Sequence, residues 1–258
     1  MTIKLSTAAR NFLAAGGSYK DLFQNGRMEI YSGSQPASAD AAVTGTLLCT
    51  ITDNSAARTA EVLATGSVTL TGGASGSLNT LTVNSVDILG GAVPYNTSLT
   101  QTAADIALQI NRNRSNVEYT ATSSGAVVTI KALPGTGASP NGFVVASTTT
   151  TLTKTDSNMA GGVNPANGLK FGEPSSGSVS KLASQTWSGV NASSGTAGYY
   201  RLYGSVADAG ALDSSATYFR EDGAIGTSGA DMNFAGGTIL TSAVTTAVDT
   251  FQRTMPNA

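Results

Sequence analysis

Histidine is missing from all 258 residues, which removes the imidazole general base, the histidine-dependent nucleophilic triads and every histidine-containing metal set. Charge is scarce as well. Lys and Arg number 14 against 16 Asp and Glu, a formal net charge of -2, and charged residues make up 12% of the chain, roughly half the usual share. So few scattered cations form no basic patch able to neutralise a run of phosphates, so direct nucleic-acid binding is not expected. Solubility then rests on hydroxyls, and this composition suits a subunit covered in an assembly better than an exposed monomer. The one cysteine, Cys49 in LLCTI, cannot form an intrachain disulfide and reads as a small buried core residue. No run approaches the roughly 18 apolar residues of a membrane span, and MTIKLSTAARNFLAAGG lacks the apolar core of a secretory signal. The expectation is a chain made in the cytoplasm, with no membrane contact and no cofactor.

What is present is a changing hydrophobic period. Residues 5–15 predict a short helix capped by Ser6 or Thr7 and ended by Gly16-Gly17, followed by a further turn of helix over 19–23. Residues 27–31 then alternate, with Met28 and Ile30 inward, and 37–45 is an irregular excursion before a strand over 46–52. Strands are expected around 68–70 and 79–83, the latter turning at Asn84-Ser85 into a short return strand. Ala103, Ile106, Ala107 and Ile110 recur at i, i+3, i+4 and i+7, which predicts a helix over 100–111 with Thr102 and Asp105 as its capping pair. A hairpin over 117–122 and 126–131 follows, then one last strand within 143–153 and an exit linker over 158–162. Beyond it, aromatic segments around Trp187, Tyr199-Tyr200-Arg201-Leu202-Tyr203 and Tyr218-Phe219 are spaced by Gly, Ser and Asp turns, as in an antiparallel sandwich or barrel.

These segments predict a mainly β fold with some α. Residues 1–64 and 163–258 form an antiparallel β-sandwich or barrel-like split domain, and 65–162 form an inserted small α+β domain, strands, helix, hairpin and strand, at a surface loop.

Few residues suggest chemistry. Glu221, Asp222 and Asp231 flank a Gly-rich stretch that suits a turn between strands, and the spacing of a calcium loop is absent, so no metal site is expected. The runs 72–76 (GGASG) and 135–138 (GTGA) lack the lysine of a phosphate loop and read as turns. Without histidine, phosphate loop or a visible acid pair, an enzyme is not expected. Contact between subunits is the more natural use of the remaining candidates. Strand alternation sets Tyr199, Arg201 and Tyr203 on one face opposite Tyr200 and Leu202, so Tyr199, Arg201 and Tyr203 with Trp187 make the suspected interface, and Arg112 and Arg114 at the helix end are a second contact. On this reading Arg201→Glu weakens assembly and leaves the fold intact. Trp187, Tyr199, Tyr200, Tyr203, Tyr218 and Phe219 together carry the alternative of a glycan-binding groove.

The stretch LSTAARNFLAAGGSYKDLFQNGRMEIYSGSQPASADAAVTGTLLCTIT, with NGLKFG, TWSGV, GTAGYYRLYG and FREDGAIGTSGADMNF, resembles a family of tailed-bacteriophage virion structural proteins of mostly unassigned role. Shorter members of that family join the LLCTIT-like strand almost directly to the NGLKFG-like strand, which agrees with an insertion between them. Within the insertion, NTLTVNSVDI, TAADIALQIN, YTATSSGAVVTIKA and GTGASPNGF resemble small domains of phage tail sheath and tail tube proteins, although the large assembly domain and exchange arms of a complete sheath subunit are not evident. The resemblance implies a virion component made in the host cytoplasm and assembling with copies of itself and with other virion proteins, as a tail, neck or capsid-decoration protein. A virion-surface adhesion module that meets a host glycan is the alternative. No catalytic residue is implied.

Overall fold

The computed structural model of the chain describes residues 3–113 and 119–255. It opens with β1 (Lys4–Leu5), α1 (Thr7–Ala14), α2 (Tyr19–Phe23), β2 (Arg27–Ser32) and β3 (Leu47–Asp53). Next come β4 (Thr65–Gly72), β5 (Ser77–Val83), β6 (Val86–Asp87), β7 (Val93–Pro94), α3 (Leu99–Arg112), β8 (Tyr119–Ser124), β9 (Val127–Ala132), β10 (Val145–Thr150) and β11 (Thr153–Ala160). The remainder holds β12 (Ser178–Ser180), β13 (Trp187–Val190), β14 (Gly195–Tyr203), β15 (Arg220–Gly226), β16 (Met232–Asn233), β17 (Ile239–Leu240), β18 (Thr245–Val248) and β19 (Gln252–Thr254). The protein is thus mostly β-sheet with a minor helical part. No helix among the described residues is long and apolar enough to cross a membrane.

Two compact units divide the chain: residues 1–60 with 165–258, and residues 61–164. The divisions fall within a few residues of the 64/65 and 162/163 positions read from composition. In the discontinuous unit one sheet runs in the order β1-β15-β14-β2-β3-β13-β18, with β16 added beside β15 and β17 beside β14. Its neighbours pair antiparallel except for β15 and β16. The segment between β1 and β2 is helical for local reasons. Ser6 and Ser18 sit in extended backbone and their hydroxyls accept from the Ala9 and Asp21 amides, capping α1 and α2. Gly16 at φ +94 ends α1. Gly26 has to be glycine, because a Cβ there would stand 1.9 Å from the Tyr203 carbonyl oxygen.

Met28 and Ile30 of β2 point into the core as the alternation predicts, joined by Tyr200 and Leu202 of β14, Cys49 and Ile51 of β3, and Leu22 and Phe23 of α2. Trp187 packs in this core edge-on to Phe171 (centroids 5.2 Å apart), and its indole N–H donates to Gln185 Oε1 at 2.7 Å, so its polar atom is satisfied inside.

The 61–164 unit has sheets β11-β4-β9-β8 and β10-β5-β6, the latter with β7 beside β5. α3 contributes Ala103, Ile106, Ala107 and Ile110 to a core with Val68, Leu81 and Ile130, as its spacing predicts. Its cap differs from expectation. Ser98 accepts from the Gln101 amide, whereas Thr102 donates back to the Ser98 carbonyl and Asp105 accepts from Asn96 and Gln101 side chains; a cap must precede the first turn, and Thr102 already lies inside it. Asn84 and Ser85 take φ of +49 and +69, the hairpin turn between β5 and β6.

Three further expectations change. The single strand over 143–153 is a pair, β10 and β11, turning at Thr151 (φ +66), and residues 158–160 finish β11 rather than forming a linker because Met159 anchors the strand in the core. Residues 216–219 are loop. The strand runs instead through Arg220–Gly226, where a turn was expected, since its acids find partners inside. Of the expected hairpin's first strand, residues 117 and 118 lie outside the described residues.

The discontinuous unit holds its own two chain ends together. Thr59 N–H donates to the Ala166 carbonyl at 3.0 Å and Ala166 N–H to the Thr59 carbonyl at 3.1 Å. Replacing residues 61–164 by a short Gly/Ser linker is therefore expected to leave this unit folded, with native-like β circular dichroism and one cooperative melt. A remainder without a cooperative transition would contradict it.

Candidate functional site

Tyr199, Arg201 and Tyr203, three of the residues that the sequence singles out for contact, lie on the sheet face opposite the Met28–Ile30 core, which itself holds Trp187. Register places Lys4, Asp222, Arg201, Glu29 and Thr50 side by side across β1, β15, β14, β2 and β3. Signs alternate along four of the five. Arg201, 0% exposed, donates from Nε and Nη2 to the two Asp222 carboxylate oxygens at 2.6 and 2.8 Å, a bidentate pair. Arg220 engages Asp208 in the same way at 2.6 and 2.7 Å. Arg27 donates to Glu29 at 2.7 Å and lies over the Tyr203 ring, 4.0 Å from its centroid. Tyr31 and Tyr199 stack at 5.2 Å with 12° between their planes. Burial raises the Tyr31 and Tyr203 phenols well above their ordinary values, so both stay protonated donors.

Two irregular segments cover this face, residues 33–46 and 204–219. The arginines hold them by backbone carbonyls: Arg201 Nη1 donates to Ala41 (2.9 Å) and Arg220 Nη1 to Ala211 (2.8 Å), while Arg27 donates to Asp208. Lys4 donates to the Pro36 carbonyl, and Tyr199 donates to the Thr44 carbonyl at 2.8 Å. The segments also bond each other, Val43 N–H to Gly210 and Asp213 N–H to Asp40. This layer fixes loops. The donors and acceptors named here satisfy one another, whereas the Gln35 side-chain amide nitrogen is buried without a hydrogen-bond partner.

Tyr199, Arg201, Tyr203 and Trp187 are thus inside the fold, each at most 1% exposed, and are not a surface that another subunit meets. Alternation divides the faces as expected, but both faces of β14 are covered. Arg201→Glu would bury a carboxylate against Asp222 and is expected to unfold the unit, not to loosen an assembly. Of the aromatic residues suggested for a glycan groove, Tyr200 is also buried and Phe219 packs on Phe12, while half-buried Tyr218 alone lines a depression beside Arg27 and Arg58. Arg112 is exposed at the last turn of α3, where a shallow depression also meets Tyr95, Asp105 and Leu108. Arg114 lies outside the described residues.

Glu221, Asp222 and Asp231 do not converge. Glu221 points into the core, where it accepts from Arg253 Nε (2.8 Å), Tyr19 (2.9 Å) and Tyr200 (2.8 Å); Asp222 faces the other way, and Asp231 accepts from the Ala224 amide. Among the described residues no group of three or more His, Cys, Asp or Glu is placed to hold a metal ion. The 135–138 glycine loop does aim amides at an anion, and that anion is the chain's own Glu61, which accepts from Gly135 (2.8 Å) and Gly137 (2.7 Å) while 2% exposed. Sequence reading passed over Glu61 because its loop lies more than 70 residues away. Outside these clusters, a depression of about 790 Å³ opens beside Arg27, Arg58, Thr52 and Val190, but Arg27 and Arg58 donate to the chain itself. Comparison with known protein families, with curated proteins and with solved structures finds no match.

Removing one partner of a buried pair leaves the other charge unpaired, so Asp222→Ala is expected to cost about 3–5 kcal/mol in urea unfolding. Arg201→Met combined with Asp222→Leu should recover most of that loss. A single variant within about 0.5 kcal/mol of the parent would contradict the assignment. Cys49 is 0% exposed and burial pushes its thiol up to about 12, so the native chain should not react with a thiol reagent at mildly alkaline pH until denaturant unfolds it. Rapid labelling of the folded chain would show the thiol to be accessible.

Proposed function

We propose that the chain is a structural component of a tailed-bacteriophage virion, built in many copies and by non-covalent contacts into a tail, a neck or a capsid decoration. It is made in the host cytoplasm and works by position, without catalysis. The observation that carries this reading is where the charge goes. Three ion pairs, Arg201–Asp222, Arg220–Asp208 and Arg253–Glu221, lie inside the discontinuous unit, so its few ionised groups serve to rigidify a building block. Its partners are copies of itself and other virion proteins. The likeness of the flanking segments to virion proteins supports the same reading, as does the scarcity of charge on a chain of this length. In this reading residues 1–60 and 165–258 form a barrel-like antiparallel assembly domain and residues 61–164 an inserted α+β domain. The adhesion alternative is the weaker one, because Trp187, Tyr199, Tyr200 and Tyr203, four of the six aromatic residues it depended on, are buried, and Tyr218 and Phe219 are half-buried.

Electron cryo-microscopy of particles from the native source tests the proposal. The expected result is density for this chain in repeated, symmetry-related copies on a tail, neck or shell. Its absence from purified particles would overturn the structural role, and its presence solely at fibre tips would favour adhesion.

A further inference from the structure

The face of α3 turned away from the core is a stripe of its own. Ala103, Ile106, Ala107 and Ile110 go inward, and at about 100° per residue the opposite side presents Gln101, Asp105, Leu108 and Arg112, at i, i+4, i+7 and i+11. Leu108 is 45% exposed and is the one large apolar side chain on the stripe. It stands beside a hollow of about 480 Å³ lined by Val93, Pro94 and Tyr95, so a single copy carries both a knob and a place to receive one.

Charge divides the stripe by sign. Asp105 lies one turn before Leu108 and Arg112 one turn after it. The Asn96 and Gln101 side-chain amides donate to Asp105 at 2.7 and 2.9 Å and hold its carboxyl below the usual carboxylate range, so it is ionised. Those two bonds leave lone pairs of the carboxylate unused. Arg112 is exposed and, among the described residues, pairs with no carboxylate. Along the helix axis Asp105 and Arg112 are about 10 Å apart, beyond the one-turn spacing at which side chains of a helix pair with each other. Two stripes laid antiparallel about the midpoint of residues 108 and 109 bring Asp105 of each copy against Arg112 of the other, twice, with the two Leu108 side chains at the centre. The sign pattern selects this arrangement. Parallel stripes in register would oppose like charges, and a stripe of one sign would repel its own reverse.

We infer that the outward face of α3 is a self-association surface, at which two copies pack antiparallel on a two-fold axis beside Leu108 and form two reciprocal Asp105–Arg112 ion pairs around an apolar centre. The occupant is a second copy of this chain, because acid meets base and knob meets hollow when the stripe is turned on itself. The inference rests on the assembly reading and names one of its surfaces. A single helix face buries less than the roughly 1,200 Å² of a stable independent complex, so the contact forms where copies are concentrated, as in an assembly.

The test uses the full chain at high protein concentration. Asp105→Arg sets arginine against Arg112 across the axis, and Arg112→Glu sets glutamate against Asp105. Each variant alone is expected to associate several-fold more weakly than the parent in sedimentation equilibrium, with thermal melting checking that it folds. An equimolar mixture of the two restores both opposite-charge pairs and should associate about as well as the parent. Leu108→Cys, mildly oxidised, should give a disulfide-linked dimer, since helices about 8–10 Å apart bring facing Cα atoms within the reach of a disulfide. Gln101→Cys lies on the same stripe but about 22 Å from its counterpart along the axes, and should not. Cys49 is buried and takes no part. Single variants that associate like the parent, a mixture no stronger than its components, or cross-linking as fast at 101 as at 108 overturns this surface and leaves the assembly reading standing. A parent chain monomeric at every concentration also overturns the surface, and its absence from purified particles as well overturns both.

Discussion

The constraint on which the larger unit depends is the burial of guanidinium groups on both faces of one sheet. A buried arginine must have its donors matched, and the rigid fork of Arg201 and of Arg220 takes a carboxylate on one side and a backbone carbonyl on another. That requirement reaches well beyond the pair. It brings residues 33–46 and 204–219, which have almost no regular structure, down onto the sheet and holds them there by Ala41, Ala211 and Asp208. Such pairs add little net stability over an apolar packing. Their effect is on uniqueness: long loops of Ala, Ser and Gly would otherwise have many near-equal arrangements.

The same economy of charge shapes the surface. Arg201, Arg220 and Arg253 with their carboxylate partners are drawn inside, while Lys131, Lys170, Glu173 and Asp249 are among the charged residues left exposed. The 61–164 unit follows the same habit on a smaller scale, its Glu61 carboxylate tying down a glycine loop that would otherwise resemble an anion site.

Periodicity made the elements with one buried face legible. Met28 and Ile30, the Ala103–Ile110 stripe and the Asn84-Ser85 turn each carry a local signal, and the structure follows it. Elements buried on both faces were not legible. β15 has the sequence REDGAIG, which reads as a turn because buried polar residues do not alternate with apolar ones, and their arginine partners lie 21 and 32 residues away for Asp222 and Glu221. Arg201 was assigned to the right face of β14, but nothing local says that a loop 160 residues distant covers it. Burial of that kind is a property of tertiary closure, which pattern along one chain does not report.

The central claim, that the buried arginine layer fixes the covering loops, is tested most directly by native-state hydrogen exchange of the amides of Val43, Thr44, Gly210 and Asp213. These lie in irregular segments, yet each donates to a partner held by the layer. The account predicts protection comparable to that of β14, released through unfolding of the whole unit. Exchange at the rate of exposed loops would show that the segments move freely over the face and that the layer does not hold them.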